Sequence, residues 1–288
     1  CGALWLYPQW GPLGLAWGVA IGAFLHFAIQ LPQLFSSGFR YEAVIRRADP
    51  GFRKFWKLYW PRIFSMGTEQ VTALIVTIFG SFLGSGALAA FYYANNLQSV
   101  FLGIFAVSFA IAVFPLLSDL YNQKEEEKFK DVLAKTSVQI LFFIVPLSVL
   151  LLVERAQAVR LVLGIGAATR FTFADTKIVA ESLGLFCISL FAQALVPLFT
   201  RVFYARHNTM VPVVIGFATI AFNILLTFLL TRQFSIPGMA LSYSITNILN
   251  LIILIFAVHH HIGGFHDEYL IVNSLKIVIA SLLAAAAA

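Results

Sequence analysis

Long apolar runs separated by short polar breaks dominate the chain. A helix that crosses a bilayer needs about 20 mainly apolar residues. Eight segments meet that ruler: about 11–35, 55–83, 86–118, 132–153, 177–203, 210–231, 237–259 and 269–288. They are too long for buried strands, and a bilayer admits only helices and closed barrels because backbone groups must be satisfied internally. The predicted fold class is therefore all-α: a polytopic integral membrane helix bundle with about eight transmembrane helices. Pro61, Pro115, Pro146, Pro197 and Pro212 fall inside or at the ends of these spans. Each removes a backbone donor and can kink its helix.

Composition supports the same solvent. Of 288 residues, 60% are hydrophobic and 11% charged, and 29 are phenylalanine. A soluble domain carries about 25% charged residues, so this chain cannot cover a globular surface with polar groups. The net charge of +6 reflects orientation rather than nucleic-acid binding. Thirteen of the 19 basic residues fall in the three connections that share one side by parity: Arg40 to Arg62, Lys124 to Lys135, and Arg201 with Arg206. The opposite side holds Arg155, Arg160, Arg170, Lys177 and Arg232. The positive-inside rule makes the first side cytoplasmic. The opening CGALWLYPQWGPLG has no Met and no basic n-region, so it is not a signal peptide. It reads as cut from a longer protein, and the closing SLLAAAAA as a span stopped partway.

Polar residues inside the spans carry the candidate chemistry. The stretch YYANNLQSVFLGIF, residues 92–105, places Asn96, Ser99 and Gly103 on one helical face with Asn95 beside them. Gln98 lies one turn from Asn95. Such amides can bind helix to helix, each worth about 0.6 kcal/mol, or line a hydrated cavity; the density of polarity favours the cavity. Glu69, with Thr68 and Gln70, sits within another apolar span, where a charge costs about 2.5–3.5 kcal/mol. It must face protein or water, or be protonated. Arg62 lies on the same face about two turns earlier. Glu181 is expected at the interface, whereas Asn223, Asn247 and Asn250 fit either cavity or packing.

No catalytic constellation accompanies these residues: HExxH, GxSxG, Walker A and paired cysteines are all missing. The expectation is a protein that is not an enzyme and needs no cofactor. Cys1 and Cys187 are too few for a disulfide framework or a zinc site. His259–His261 invite a metal reading, but without ordered ligand spacing the expectation is wet, unliganded histidines and no metal. The stretch GIGAATRFTFADT, residues 164–176, lacks phosphate-loop spacing. It predicts a turn and then a helix cap, with Asp175 or Thr176 at the start of the next span.

Six segments, in order, resemble one family: QLPQL (30–34), WPRIFSMGTEQV (60–71), GSGALAAFYYANNLQSVFLGIFAVSFAIAVFPLLS (84–118), FTFADT (171–176), RVFYARHNTMVP (201–212) and PGMALSYSITNILN (237–250). The chain resembles the MurJ (MviN) family of lipid II flippases, within the multidrug/oligosaccharidyl-lipid/polysaccharide exporter superfamily. The resemblance implies fourteen helices in two six-helix lobes plus two extra helices. On that plan residues 1–35 are the last helix of the N-terminal lobe, and 36–54 a basic cytoplasmic linker. Residues 55–262 are the six-helix second lobe of the two-lobe flippase, and 263–288 the start of an extra C-terminal helix. The implied function is movement of lipid II, the undecaprenyl-pyrophosphate-linked cell-wall precursor, across the bacterial inner membrane by alternating access. Implied partners are that glycolipid, membrane lipids and the N-terminal lobe, with no nucleic acid.

The resemblance has two departures. Some members carry an acidic residue, an arginine and a glutamate where this chain has Asn95, Asn96 and Ser99. The family also commonly has a proline where Phe101 stands, which predicts a straighter helix here. The candidate cavity-lining set is Glu69, Asn95, Asn96 and Ser99, with Arg62 at the entrance. Two alternatives stand beside it. One is another polysaccharide-lipid flippase or a cation-coupled drug exporter with Glu69 as coupling site; the other is a non-transporting scaffold of cell-wall synthesis.

Overall fold

The computed structural model describes residues 5–38, 50–84, 86–164 and 172–287. The chain divides into two compact units, Cys1–Phe55 and Trp56–Ala288. Arg40, Arg46 and Arg47 of the expected linker lie outside the described residues.

The first unit contains α1 (Tyr7–Trp10), α2 (Pro12–Ala28) and α3 (Leu31–Ser36). Proline opens α2, where its missing N–H costs nothing. Pro12–Ser36 is long and apolar enough to cross a membrane.

Helices joined by short turns make up the described residues of the second unit. Its elements are α4 (Pro50–Ser81, entering from the first unit), α5 (Ala87–Phe101), α6 (Ser108–Asn122), α7 (Glu126–Val153), α8 (Arg155–Leu163), α9 (Phe173–Ala205), α10 (Met210–Ile262) and α11 (Asp267–Ala287). Six helices among the described residues qualify as spans by length and composition. One of these, α10, is two arms joined at Ser235, whose backbone leaves the helical region (φ 53°, ψ −128°). The 32-residue α4 carries the apolar stretch Gln70–Ser81. Counting both arms and α4 gives the eight expected segments, in a multi-pass membrane protein.

The two arms of α10, 210–234 and 236–262, run antiparallel. Asn223 Nδ2 donates to Thr246 Oγ1 (3.0 Å), and one turn later Thr227 Oγ1 meets Ser242 Oγ (2.8 Å). The next rung pairs Thr231 with Gly238. There the backbones are so close that a Cβ on Gly238 would collide with the Leu230 carbonyl oxygen and stand 3.1 Å from the Thr231 nitrogen. Glycine is required because the neighbour is backbone and cannot yield. It also has no side chain to offer, so the Thr231 hydroxyl is the one buried side-chain polar group without a partner among the described residues.

Helix α9 is the hub. It packs on α5, α6, α7, α8 and both arms of α10, and 67% of its span is buried, against 6% for α11. Ala180, Ser182, Gly184, Ser189, Ala192 and Ala194 keep its surface thin enough for neighbours to approach on several sides. Large residues fill the remaining space: Phe186, Phe199 and Phe203 are all but fully enclosed. The apolar surfaces left outside, such as Phe142, Leu225 and Leu275, suit contact with lipid tails.

Three local features add to or correct the expectations. After Phe101 the helix runs on to Asn122, with Leu102–Val107 π-helical. The wider turn shifts the register so that Phe105 stacks on Phe143 of α7 (4.9 Å, 10°) while Ala106 stays fully buried. The Ser108 hydroxyl donates to the Gly103 carbonyl five residues back (3.0 Å), matching the π spacing. Second, the cap of α9 is Thr172. Its side chain accepts from the Asp175 N–H, and Asp175 reciprocates to the Thr172 N–H (2.8 Å). Asp175 therefore acts as the third helical residue of a capping box. Third, the segment expected as a loop between α7 and α9 contains α8, held by the fully buried Val159.

Candidate functional site

Helix α5 splits its polar residues between two faces. Asn96, Ser99 and Gly103 are exposed and Asn95 is half-buried, as the helical periodicity predicts for a common face. Open space surrounds Gly103. The Ser99 hydroxyl donates to the Asn95 carbonyl (2.7 Å), so its lone pairs remain for an outside donor. Gln98 points the other way and is completely buried. An exposed polar face and a buried amide that joins helices are thus both present on α5, on different faces.

Gln98 leads into a polar chain across the core. Its Nε2 donates to Asn95 Oδ1 (3.0 Å) and to Gln193 Oε1 on α9 (3.2 Å). Gln193 Nε2 returns a bond to Gln98 Oε1 (3.1 Å) and donates to Ser189 Oγ (2.9 Å). Ser189 Oγ meets Ser244 Oγ on the second arm of α10 (3.0 Å), and Ser244 donates to the Leu185 carbonyl (2.8 Å). Aromatic rings run alongside: Phe91 of α5 meets Phe186 of α9 (5.3 Å), which meets Tyr243 of α10 (5.6 Å). Sequence reasoning passed over Gln193, Ser189 and Ser244. A lone glutamine in the apolar stretch FAQALVP was the available signal.

A separate cavity of about 480 Å³ opens between α9, the two arms of α10 and Thr72 of α4. Thr200, Tyr204, Asn223, Asn247 and Asn250 contribute to its polar lining, and none of the described lining residues is charged. Asn223 and Asn247 also pack, to Thr246 Oγ1 and to the Tyr243 carbonyl (2.9 Å). Thr200 and Asn250 have no hydrogen-bond partner among the described residues. This volume can hold several waters or a compact uncharged polar group. The choice between cavity and packing left open for the three asparagines resolves into both for Asn223 and Asn247, and into cavity lining for Asn250.

The remaining candidates are dispersed. Arg62 and Glu69 fall on α4, but their side chains lie outside the described residues. Glu181 is exposed on the first third of α9, 4.0 Å from Lys177. Of the histidines, His259 Nε2 lies 2.8 Å from Asp267 Oδ2 at the start of α11, and its ring packs on the enclosed Phe265 (5.0 Å). His261 Nδ1 bonds the Ala257 carbonyl (2.8 Å). The cluster fastens the turn between α10 and α11. No group of three or more metal-ligating side chains occurs among the described residues.

The helices and their polar interior define a multi-pass α-helical membrane protein. A MOP superfamily transporter from Pyrococcus furiosus shares this fold over 78% of the chain and 50% of its own, with a TM-score of 0.53 at 16% identity. The model of the lipid II flippase MurJ family matches residues 1–288, and the chain belongs to that family. A probable lipid II flippase MurJ of Bdellovibrio bacteriovorus is 27% identical over 95% of this chain and 52% of its own length. A solved lipid II flippase MurJ in an inward closed conformation matches with a TM-score of 0.81 at 25% identity, covering 97% of this chain and 56% of that one. The chain spans about half the length of the curated relatives it matches.

Proposed function

We propose that this chain is the C-terminal part of a flippase that carries lipid II across the bacterial inner membrane by alternating access. The observation that carries the reading is the fit to a solved MurJ over 97% of this chain but 56% of that one. On this reading α2 and α3 end the N-terminal lobe, and 36–54 link the lobes. Residues 55–262 form the second lobe, and α11 begins the extra helices. The basic connections lie in the cytoplasm. Transport makes and breaks no bonds; two lobes rock about a site between them.

The exposed face of α5 would form one wall of that site. Asn96 and Ser99 project from the lobe surface, and their neutral amide and hydroxyl can hydrogen-bond phosphate or sugar without fixing a counter-charge. Arg62 and Glu69 of α4 would stand at the entrance and within the same cavity. The test is cysteine accessibility in the full-length protein. Asn96→Cys and Ser99→Cys should react with a water-borne thiol reagent, and lipid II should protect both. Cysteines sealed from water in every state, in a protein that still flips lipid II, would sink the cavity assignment. A full-length protein that moves no lipid II in liposomes would sink the function.

A further inference from the structure

We propose that Asn95 is a hydrogen-bond donor of fixed polarity in the substrate cavity, and that Gln193, buried on α9, is the residue that positions it. The inference rests on the flippase reading and assigns chemistry to one point of that site.

The direction of the buried chain is set by backbone carbonyls, which can only accept. Ser244 Oγ–H is committed to the Leu185 carbonyl at 2.8 Å. The Ser189 hydroxyl has two acceptors before it: Ser244 Oγ at 3.0 Å and the Phe186 carbonyl at 3.1 Å. With its hydrogen on either of these, Ser189 Oγ accepts from Gln193 Nε2 at 2.9 Å. Gln193 Nε2 then serves both Ser189 and Gln98 Oε1, and Gln193 Oε1 accepts from α5. Gln98 must then answer with Nε2, and the second hydrogen of that Nε2 reaches Asn95 Oδ1 at 3.0 Å. With its oxygen satisfied, Asn95 keeps Nδ2 without a protein acceptor among the described residues.

An unanchored asparagine in a wet cavity flips freely and serves donors and acceptors alike. Here a flip would turn two N–H groups toward each other and leave an N–H of the fully buried Gln98 unmatched. The site therefore selects an acceptor and disfavours a cation. The acceptor is an oxygen of a phosphate or of an amide carbonyl, both of which a pyrophosphate-linked amino-sugar lipid would supply. Gln98 touches Asn95 directly; Gln193 acts only through Gln98.

The experiment measures binding by the full-length protein of lipid II, undecaprenyl pyrophosphate and undecaprenol. Asn95→Asp keeps the shape and removes the donor, and should weaken lipid II binding about tenfold. An equal loss for undecaprenyl pyrophosphate assigns the contact to phosphate; a loss confined to lipid II assigns it to a headgroup carbonyl. Undecaprenol binding should not change. Gln193→Met should weaken lipid II about threefold, and that loss should vanish in an Asn95→Ala background, since a positioning residue has nothing left to position. Ser189→Ala, which removes the hydroxyl that accepts from Gln193 with almost no change in volume, should reproduce the Gln193→Met pattern if that variant does not fold. Wild-type affinity in Asn95→Asp overturns the proposal, as does a Gln193→Met or Ser189→Ala loss that persists without Asn95. A wild-type protein that binds neither phosphorylated lipid overturns the flippase reading instead.

Discussion

Two polar regions lie side by side in the second unit, built from the same residue types on the same helices. In the chain from Asn95 through Gln98, Gln193 and Ser189 to Ser244, every buried side chain has its partner. In the cavity between α9 and α10, Thr200 and Asn250 have none among the described residues, and the volume of about 480 Å³ leaves room for water to serve them. Asn223 combines the two characters, bonded to Thr246 while facing the cavity. The difference is one of matching rather than composition. Where acceptor meets donor across a dry contact, polarity is glue with a direction. Where the helices part, the same amides become a surface for solvent or solute. The hairpin of α10 sets the boundary, because its arms touch at Gly238 and diverge toward the cavity.

The largest effect is therefore expected where the arms touch. Gly238→Val places a branched side chain against the Leu230 carbonyl, and the arms must separate or the hairpin must twist. Overpacking of this kind costs about 3 kcal/mol. It should also misalign the rungs at Thr227–Ser242 and Asn223–Thr246. Thermal unfolding in detergent should show a clear drop, larger than for any single polar substitution in the unit. An unchanged midpoint would mean that the arms are not in backbone contact.

The next effect tests the matched region. Gln98→Leu alone strands Gln193 in a buried site, and Gln193→Leu alone strands Gln98. Each should cost about 1–2 kcal/mol, the penalty for an amide that loses its partner out of water. The double leucine variant removes both amides and should recover most of that loss, because matched apolar groups can replace a matched polar pair. Unfolding midpoints of the three variants give the coupling directly. Additive losses would show that the two glutamines do not act as a pair.

The eight membrane segments were legible because a bilayer demands about 20 apolar residues per crossing, and the polar break at TRQFSIP marked the α10 turn. Helix α8 was not, since its nine residues fall below that ruler and only contact with α9 gives it a buried side. Periodicity placed Asn96, Ser99 and Gly103 on one face correctly. It could not show that Gln98 on the same helix faces a glutamine 95 residues away, because nothing local records such a partner. The π-helical Leu102–Val107 was hidden for the same reason: its register answers to Phe143 on α7, whereas Phe101 alone pointed to a regular helix. The cap of α9 was placed three or four residues late, because the reading took Asp175 or Thr176 for the helix start and not Asp175 for the partner of Thr172.

The smallest effect belongs to the unmatched region, and it sharpens the contrast most. Asn250→Leu and Thr200→Val remove cavity polarity from side chains that hold no partner among the described residues. No partner is stranded, no helix contact is lost, and each residue is only half-buried. Stability should shift by no more than about 0.5 kcal/mol, well below the loss in either glutamine variant. The cavity itself should change: a cysteine at Gly216, on the cavity lining, should react more slowly with a water-soluble reagent once Asn250 is leucine, because an apolar wall holds water poorly. If Asn250→Leu instead destabilised the unit as much as Gln193→Leu, the cavity would be a second matched network whose partner is bound water. The distinction between glue and solvent-facing surface would then fail for this lobe.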